Sequence, residues 1–215
     1  MGANARASVA VEEILPPRPS LAKLRRAAAD CRACPLWRTG TQTVFGAGPP
    51  SARLMLVGEQ PGDREDRAGE PFVGPAGDVL ARALEEAGIS RRDAYLTNVV
   101  KHFKWRAGRG KRRLHQRPNA EEVSACRPWL DSELAVVGPE VVVCLGATAA
   151  KALLGNEVRV TRDRGRFLEA DFAPTVTVTV HPSSILRIHD DDERHRARAE
   201  LTADLREVAR RLESG

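Results

Sequence analysis

Lysine is scarce in this chain, and so are uninterrupted apolar runs. Only Lys23, Lys101, Lys104, Lys111 and Lys151 are lysines, whereas Lys and Arg together number 34, so arginine carries most of the positive charge. The longest apolar stretch, 134–150, is broken by Gly138, Pro139 and Glu140, which excludes a bilayer-spanning helix there. The N-terminal residues hold Arg6, Glu12 and Glu13 with no apolar h-region, so a secretory signal is not expected. There is no internal repeat and no long low-complexity linker. With only four cysteines in a chain of apparently intracellular character, disulfides are not expected either. The expectation is a cytoplasmic protein with no membrane partner.

What is present fits one folded domain. The 215 residues are 42% hydrophobic and 29% charged, which argues against wholesale disorder. Residues 1–20, ending in Pro16, Pro17 and Pro19, read as a flexible leader, and 21–215 as one domain. Leu54–Val57 and Val141–Leu145 are continuous apolar runs, as expected of strands covered on both faces. Ala94–Val100 is a third candidate strand. Thr175–Val180 alternates strictly, which predicts one less-buried face. Helices are predicted at Leu21–Ala29, at Asp78–Ala87 before Gly88, from the Asn119 and Glu122 capping box onward, at Ala147–Leu154, and along the Leu201, Leu205, Val208, Leu212 stripe. Pro128 is expected to kink or end the third of these. Alternating strands and helices predict an α/β fold, three layers around a mainly parallel, four-stranded sheet. Ligands of such sheets bind beyond the carboxyl ends of the strands. There the chain places Gly58-Glu59-Gln60-Pro61-Gly62-Asp63, Asn98, Gly146-Ala147-Thr148 and His181-Pro182-Ser183-Ser184.

The net charge of +5 does not identify a nucleic-acid binder, but its distribution is uneven. From Lys101 to Arg117 there are many cations and no acid, a stretch that can follow a phosphate backbone or serve as a solvated loop. Cys31 and Cys34 form a C-x2-C turn, with Cys126 and Cys144 far downstream. Four thiolates can complete a zinc site or an iron–sulfur cluster, and spacing leaves both open. Taken alone, the loop at Gly58 reads as an ordinary strand-to-helix turn, and His115 as a phosphate-contacting histidine. His102 is given no chemistry, and Trp37, Trp105 and Trp129 are expected to pack, with stacking on a base as the alternative for Trp105 in the basic stretch.

Five ordered motifs nevertheless resemble the iron–sulfur branch of the uracil-DNA glycosylase superfamily: Gly58-Glu59-Gln60-Pro61-Gly62, Pro71-Phe72-Val73-Gly74, Thr97-Asn98-Val99-Val100-Lys101, Val180-His181-Pro182-Ser183-Ser184 and the cysteine pattern. Gln60 stands where most type 4 members have Ala, and the loop Lys111–Pro118 is one those enzymes lack. Both departures are similar to the uracil-DNA glycosylase X type, whose members excise uracil and become joined to DNA through the loop histidine. The resemblance implies a [4Fe–4S] cluster on Cys31, Cys34, Cys126 and Cys144. It implies that Phe72 stacks on an extruded uracil, Asn98 reads its edge and His181 bonds its O2, while His115 captures the sugar beside Arg113. Glu59 would stabilise the sugar cation or orient His115, with Gln60, Asp63, Gly58 and Gly62 shaping the pocket. Ser183, Ser184 and Arg187 would touch phosphates, with Ile185 or Leu186 as a wedge. The implied partner is uracil-containing DNA and the product free uracil, with a monomer expected. A conventional turnover glycosylase and a non-catalytic single-strand-binding module are the alternatives.

Overall fold

Runs with no polar face must be covered on both sides, and the chain meets that demand by wrapping a sheet in helices. The structure is a computed structural model that describes residues 10–214. In chain order it begins with α1 (Val11–Ile14), α2 (Leu21–Ala28), β1 (Leu54–Gly58), α3 (Asp63–Ala68), α4 (Pro75–Glu86) and β2 (Ala94–Asn98). A hairpin of β3 (Trp105–Ala107) and β4 (Arg113–His115) follows, then α5 (Ala120–Val137), β5 (Val141–Leu145), α6 (Ala147–Leu154) and α7 (Val160–Asp163). The chain closes with β6 (Phe167–Ala170), β7 (Ala173–Thr179), α8 (Pro182–Ile185) and α9 (Asp191–Glu213).

The main sheet has the order β2-β1-β5-β7-β6, with β2, β1, β5 and β7 parallel. Alternate residues of each strand enter two apolar layers. Met55, Val57, Val142 and Cys144 face the side of α1, α2 and α5, while Leu54, Leu56, Val141 and Val143 face that of α4 and α9. The three-layer α/β/α expectation therefore holds, and the four expected strands are its parallel core.

Four details differ from expectation. A fifth strand, β6, pairs antiparallel to β7 at the sheet edge. β7 is buried on both faces over Thr175–Thr179, because α9 covers the threonine side: Arg211 donates to Thr175, and Thr179 donates to Asp204. Helix α5 continues past Pro128 to Val137, since Trp129, Leu130 and Leu134 anchor the far half in the core. Within the expected leader, Val11–Ile14 is helical and Val11 is 1% exposed. The rest of that leader, 1–9, lies outside the described residues.

The capping box forms as read, with Asn119 Oδ1 accepting from the Glu122 amide and Glu122 returning a bond to the Asn119 amide, both 2.8 Å. Midway along α5, Glu133 is fully buried. It accepts from the Gly46 amide (3.0 Å), Tyr95 OH (2.9 Å) and Thr97 Oγ1, and pairs with the equally buried Lys101 ammonium. Lys101 Nζ also donates to the Asn98 carbonyl at 2.7 Å. This network ties α5 to the end of β2, where the site begins.

Candidate active site

The carboxyl ends of β1, β2, β5 and β7 converge on two adjoining cavities of about 650 and 480 Å³, with His115 lining both. The larger is lined by Phe72, Asn98, Gln60, Asp63 and His181, among others. Gly58 makes its floor possible: a Cβ there would lie 2.4 Å from Asn98 Oδ1 and 2.7 Å from the Phe72 ring. Phe72 is held at φ 57°, a left-handed conformation that non-glycine residues seldom adopt, and Arg91 Nη2 bonds its carbonyl at 2.9 Å. Its ring is inclined by 30° to that of His181, with centroids 6.3 Å apart. Asn98 ends β2, is 3% exposed and lines this cavity; no described protein group hydrogen-bonds its side-chain amide.

The two site histidines carry opposite tautomers. His181 Nδ1 accepts from the Ser183 amide at 3.2 Å and lies 2.8 Å from the Ser183 hydroxyl, so its proton resides on Nε2. Burial, reinforced by His115 and Arg187, pushes His181 down to about 4, which keeps the ring neutral. At Gln60, Oε1 accepts from the Lys104 amide (3.1 Å), which turns Nε2 toward His115 Nε2 (2.8 Å) and the Gln116 carbonyl (2.9 Å). His115 Nε2 is thereby the acceptor and holds a lone pair. Its pKa is also lowered by burial, with Arg187 adding to the effect and Glu59 opposing it.

His115 sits on β4 opposite Trp105, so the basic stretch is a hairpin rather than a loose loop. Arg113 fastens it to α3: its Nε pairs with Asp63, and its Nη1 meets Asp66 at 2.6 Å and Thr41 at 3.2 Å. Despite an opposing contribution from burial, Arg113 and Arg67 hold Asp63 below the usual carboxylate range. Thr41 was not among the expected site residues, and no sequence signal marks it; Asp66, which the sequence groups with Asp63 and Phe72, lies one helical turn after Asp63. Several cations of the run are consumed internally, since Lys101 is buried on Glu133 and Lys104 pairs with Glu122 at 2.8 Å. Arg106, Arg109, Lys111 and Arg112 are exposed, with no acidic partner among the described residues. His102 is a packing residue: Thr43 Oγ1 donates to the Ala28 carbonyl and so accepts from His102 Nε2 at 2.9 Å.

The smaller cavity is lined by Glu59, Arg117, Thr148, Ser183, Ser184 and Arg187. Glu59 Oε1 lies 3.5 Å from His115 Nε2, and Oε2 accepts from Thr148. Gly62 precedes α3, where its amide donates to Glu65 at 3.1 Å. Of the two expected wedge residues, Ile185 is 1% exposed and packed in the core, which removes it from that role, whereas Leu186 is 43% exposed. Trp129 is fully buried; Trp37 and Trp105 are half-buried, with arginines over their rings.

Cys31, Cys34, Cys126 and Cys144 are free thiols brought from the C-x2-C turn, α5 and β5 into one apolar layer. Burial pushes Cys126 and Cys144 up to about 12, so their ionised forms need a cation. N–H donors already face two of the sulfurs: Trp129 Nε1 meets Cys31 Sγ at 3.3 Å, and the Lys101 amide meets Cys126 Sγ at 3.2 Å. Among the described residues, no three His, Cys, Asp or Glu side chains converge on a single ion. A cubane, by contrast, carries its thiolates on separate irons, and an all-cysteine donor set suits it.

Comparison with known proteins identifies the family. The family model "Uracil DNA glycosylase superfamily" matches residues 45–206. The type-4 uracil-DNA glycosylase of Thermotoga maritima is 38% identical over 165 residues, covering 76% of this chain and 82% of that protein. The type-4 enzyme of Pyrobaculum aerophilum is 36% identical, covering 78% and 85%. A type-5 uracil-DNA glycosylase from Thermus thermophilus is 34% identical, covering 59% and 68%. With the family match spanning the strands that carry the pocket, this chain belongs to the uracil-DNA glycosylase superfamily.

Proposed function

We propose that this protein excises uracil from DNA and then captures the resulting sugar covalently through His115, as in the uracil-DNA glycosylase X type. The type-4 relatives support the excision. The observation that carries the capture is His115 Nε2, held as a lone-pair nitrogen by Gln60 and flanked by Glu59, at the wall shared by both cavities.

A base must leave the stack to be reached, at a cost of a few kcal/mol that single strands reduce. The flipped uracil stacks on Phe72, and the open amide of Asn98 pairs with its O4 and N3–H. As the C1′–N1 bond breaks, its electron pair leaves with the base, and His181 Nε2–H bonds the O2 on which charge builds. The departing anion takes a proton from solvent and is released as free uracil. The lone pair of His115 Nε2, given up by Gln60, then closes on C1′. The alkylated ring is cationic until its Nδ1 proton passes to solvent, and Glu59 lies beside that charge. Asp63 acts through Arg113, which fixes the hairpin. Ser183, Ser184, Arg187 and the exposed hairpin arginines bind phosphates, with Leu186 at the gap in the stack. Cys31, Cys34, Cys126 and Cys144 would hold a [4Fe–4S] cluster, whose contribution is structural: it pins the N-terminal turn to α5 and β5. We assign the protein as a cytoplasmic monomer.

The test is a denaturing gel of the purified protein with labelled uracil-containing single-stranded oligonucleotide, beside a thymine control and His115→Ser. A heat-stable, uracil-dependent band that the variant lacks is expected. An alkali-labile break without that band would mean turnover and a different job for His115, and the absence of both signals from iron-loaded protein would overturn excision itself.

A further inference from the structure

Beneath His115, a short chain of contacts decides where the Glu59 carboxylate points. Thr148, in the first turn of α6, accepts from Arg117 Nε at 3.1 Å and from Arg117 Nη2 at 2.9 Å. A guanidinium only donates, so the single Thr148 proton is free to go elsewhere, and it goes to Glu59 Oε2. Arg117 Nε lies 3.4 Å from that same oxygen. Oε2 is therefore tethered by a hydroxyl and a cation, which leaves Oε1 on the His115 side, 3.5 Å from Nε2. Without the tether the carboxylate is free to rotate away from the imidazole.

Thr148 is 9% exposed, on an element separate from both the hairpin and the β1 loop. Arg117 follows β4 and is exposed, so it shares the hairpin with the histidine whose partner it restrains. Fixing a neighbouring charge in advance is worth more than supplying it after a rearrangement. The sugar cation is short-lived, and the competition between imidazole and water depends on which is already in place. We propose that Thr148 and Arg117 are positioning residues that lock Glu59 beside His115, so that imidazole rather than water captures the sugar. This rests on the reading of His115 as the capturing group.

The experiment uses the full, iron-loaded chain with a uracil-containing single-stranded oligonucleotide under single-turnover conditions, scoring adduct against free abasic sites on one gel. Thr148→Val keeps the shape and removes the hydroxyl. Its adduct-to-abasic ratio is expected to fall about tenfold, the effect of one charge-assisted hydrogen bond. Thr148→Ser restores the ratio, and Arg117→Gln falls between the two. An unchanged ratio in Thr148→Val overturns the proposal. A second readout does not depend on the adduct: the NMR titration of the His115 ring carbon. In Thr148→Val that titration moves to lower pH, as in Glu59→Gln, because the carboxylate no longer faces the ring. A titration that stays put or moves upward also overturns the proposal. Should the wild type form no adduct, the capturing role of His115 fails, while the titration still decides whether Thr148 holds Glu59.

Discussion

His115 and His181 lie on the same pocket, yet the chain treats them in opposite ways. His181 follows β7, an interior strand of the main sheet, and the backbone amide of Ser183 bonds its Nδ1, leaving Nε2–H as a donor. His115 sits on a peripheral two-stranded hairpin, where a side chain, Gln60, bonds its Nε2 and leaves a lone pair there. Burial lowers the pKa of both rings, so neither needs to lose a proton near neutral pH before acting. A main-chain contact is indifferent to the identity of the residue that supplies it, whereas a side-chain contact vanishes with one substitution. Donor chemistry is thus built into the fold, and acceptor chemistry is added by the hairpin.

That contrast can be broken most severely at the rings themselves. His181→Ala is expected to slow uracil release by about 10²–10³-fold in single-turnover assays, the cost of losing one donor to a developing anion. His115→Ser should instead abolish the adduct, with a smaller loss of release. A third histidine sharpens the comparison through stability. Burial pushes His102 from 6.5 down to about 4, with Asp66 opposing, so the folded state binds fewer protons than the unfolded state between those values. The His102 contribution to stability is full above pH 6.5, falls as pH drops toward 4, and amounts to on the order of 3 kcal/mol; because His181 titrates in the same window, it is read as the difference in denaturant midpoints between the wild type and His102→Gln at stepped pH. Gln60→Ala removes the lock on the hairpin histidine and should reduce adduct yield about tenfold, with excision less affected. The smallest effect is expected from Arg109→Gln. Affinity for single strands should drop a few-fold irrespective of sequence, and the slope of log affinity against log salt by about 1.

The parallel core was legible because Leu54–Val57 and Val141–Leu145 have no polar face, and the pocket followed from what succeeds each strand. The edge strand β6 was not: Phe167–Ala170 is short, mixed and flanked by Arg166 and Asp171, so it carries no period of its own. The threonines of β7 misled because period-two polarity usually marks a wet face, whereas here α9 covers it and supplies Asp204 to Thr179 and Arg211 to Thr175. At the site, the motifs located Phe72, Asn98 and His181. Gln60 was legible as a departure within its motif, but its contact with His115, across 55 positions, was not; Thr148 gained its meaning only from distance, its hydroxyl reaching Glu59 across 89 positions. Nor does Glu133 announce itself, being one acid among several on α5 yet wholly enclosed.

The Lys101–Glu133 pair also constrains how this lineage can change. Neither position tolerates independent drift, because losing one partner strands a charge in the core at a cost of about 3–5 kcal/mol. Lys101 bonds the Asn98 carbonyl through its ammonium and the Cys126 sulfur through its amide. Descendants that retain Asn98 at the end of β2 are therefore expected to inherit the acid on α5 with it, and Lys101 and Glu133 to mutate together or not at all.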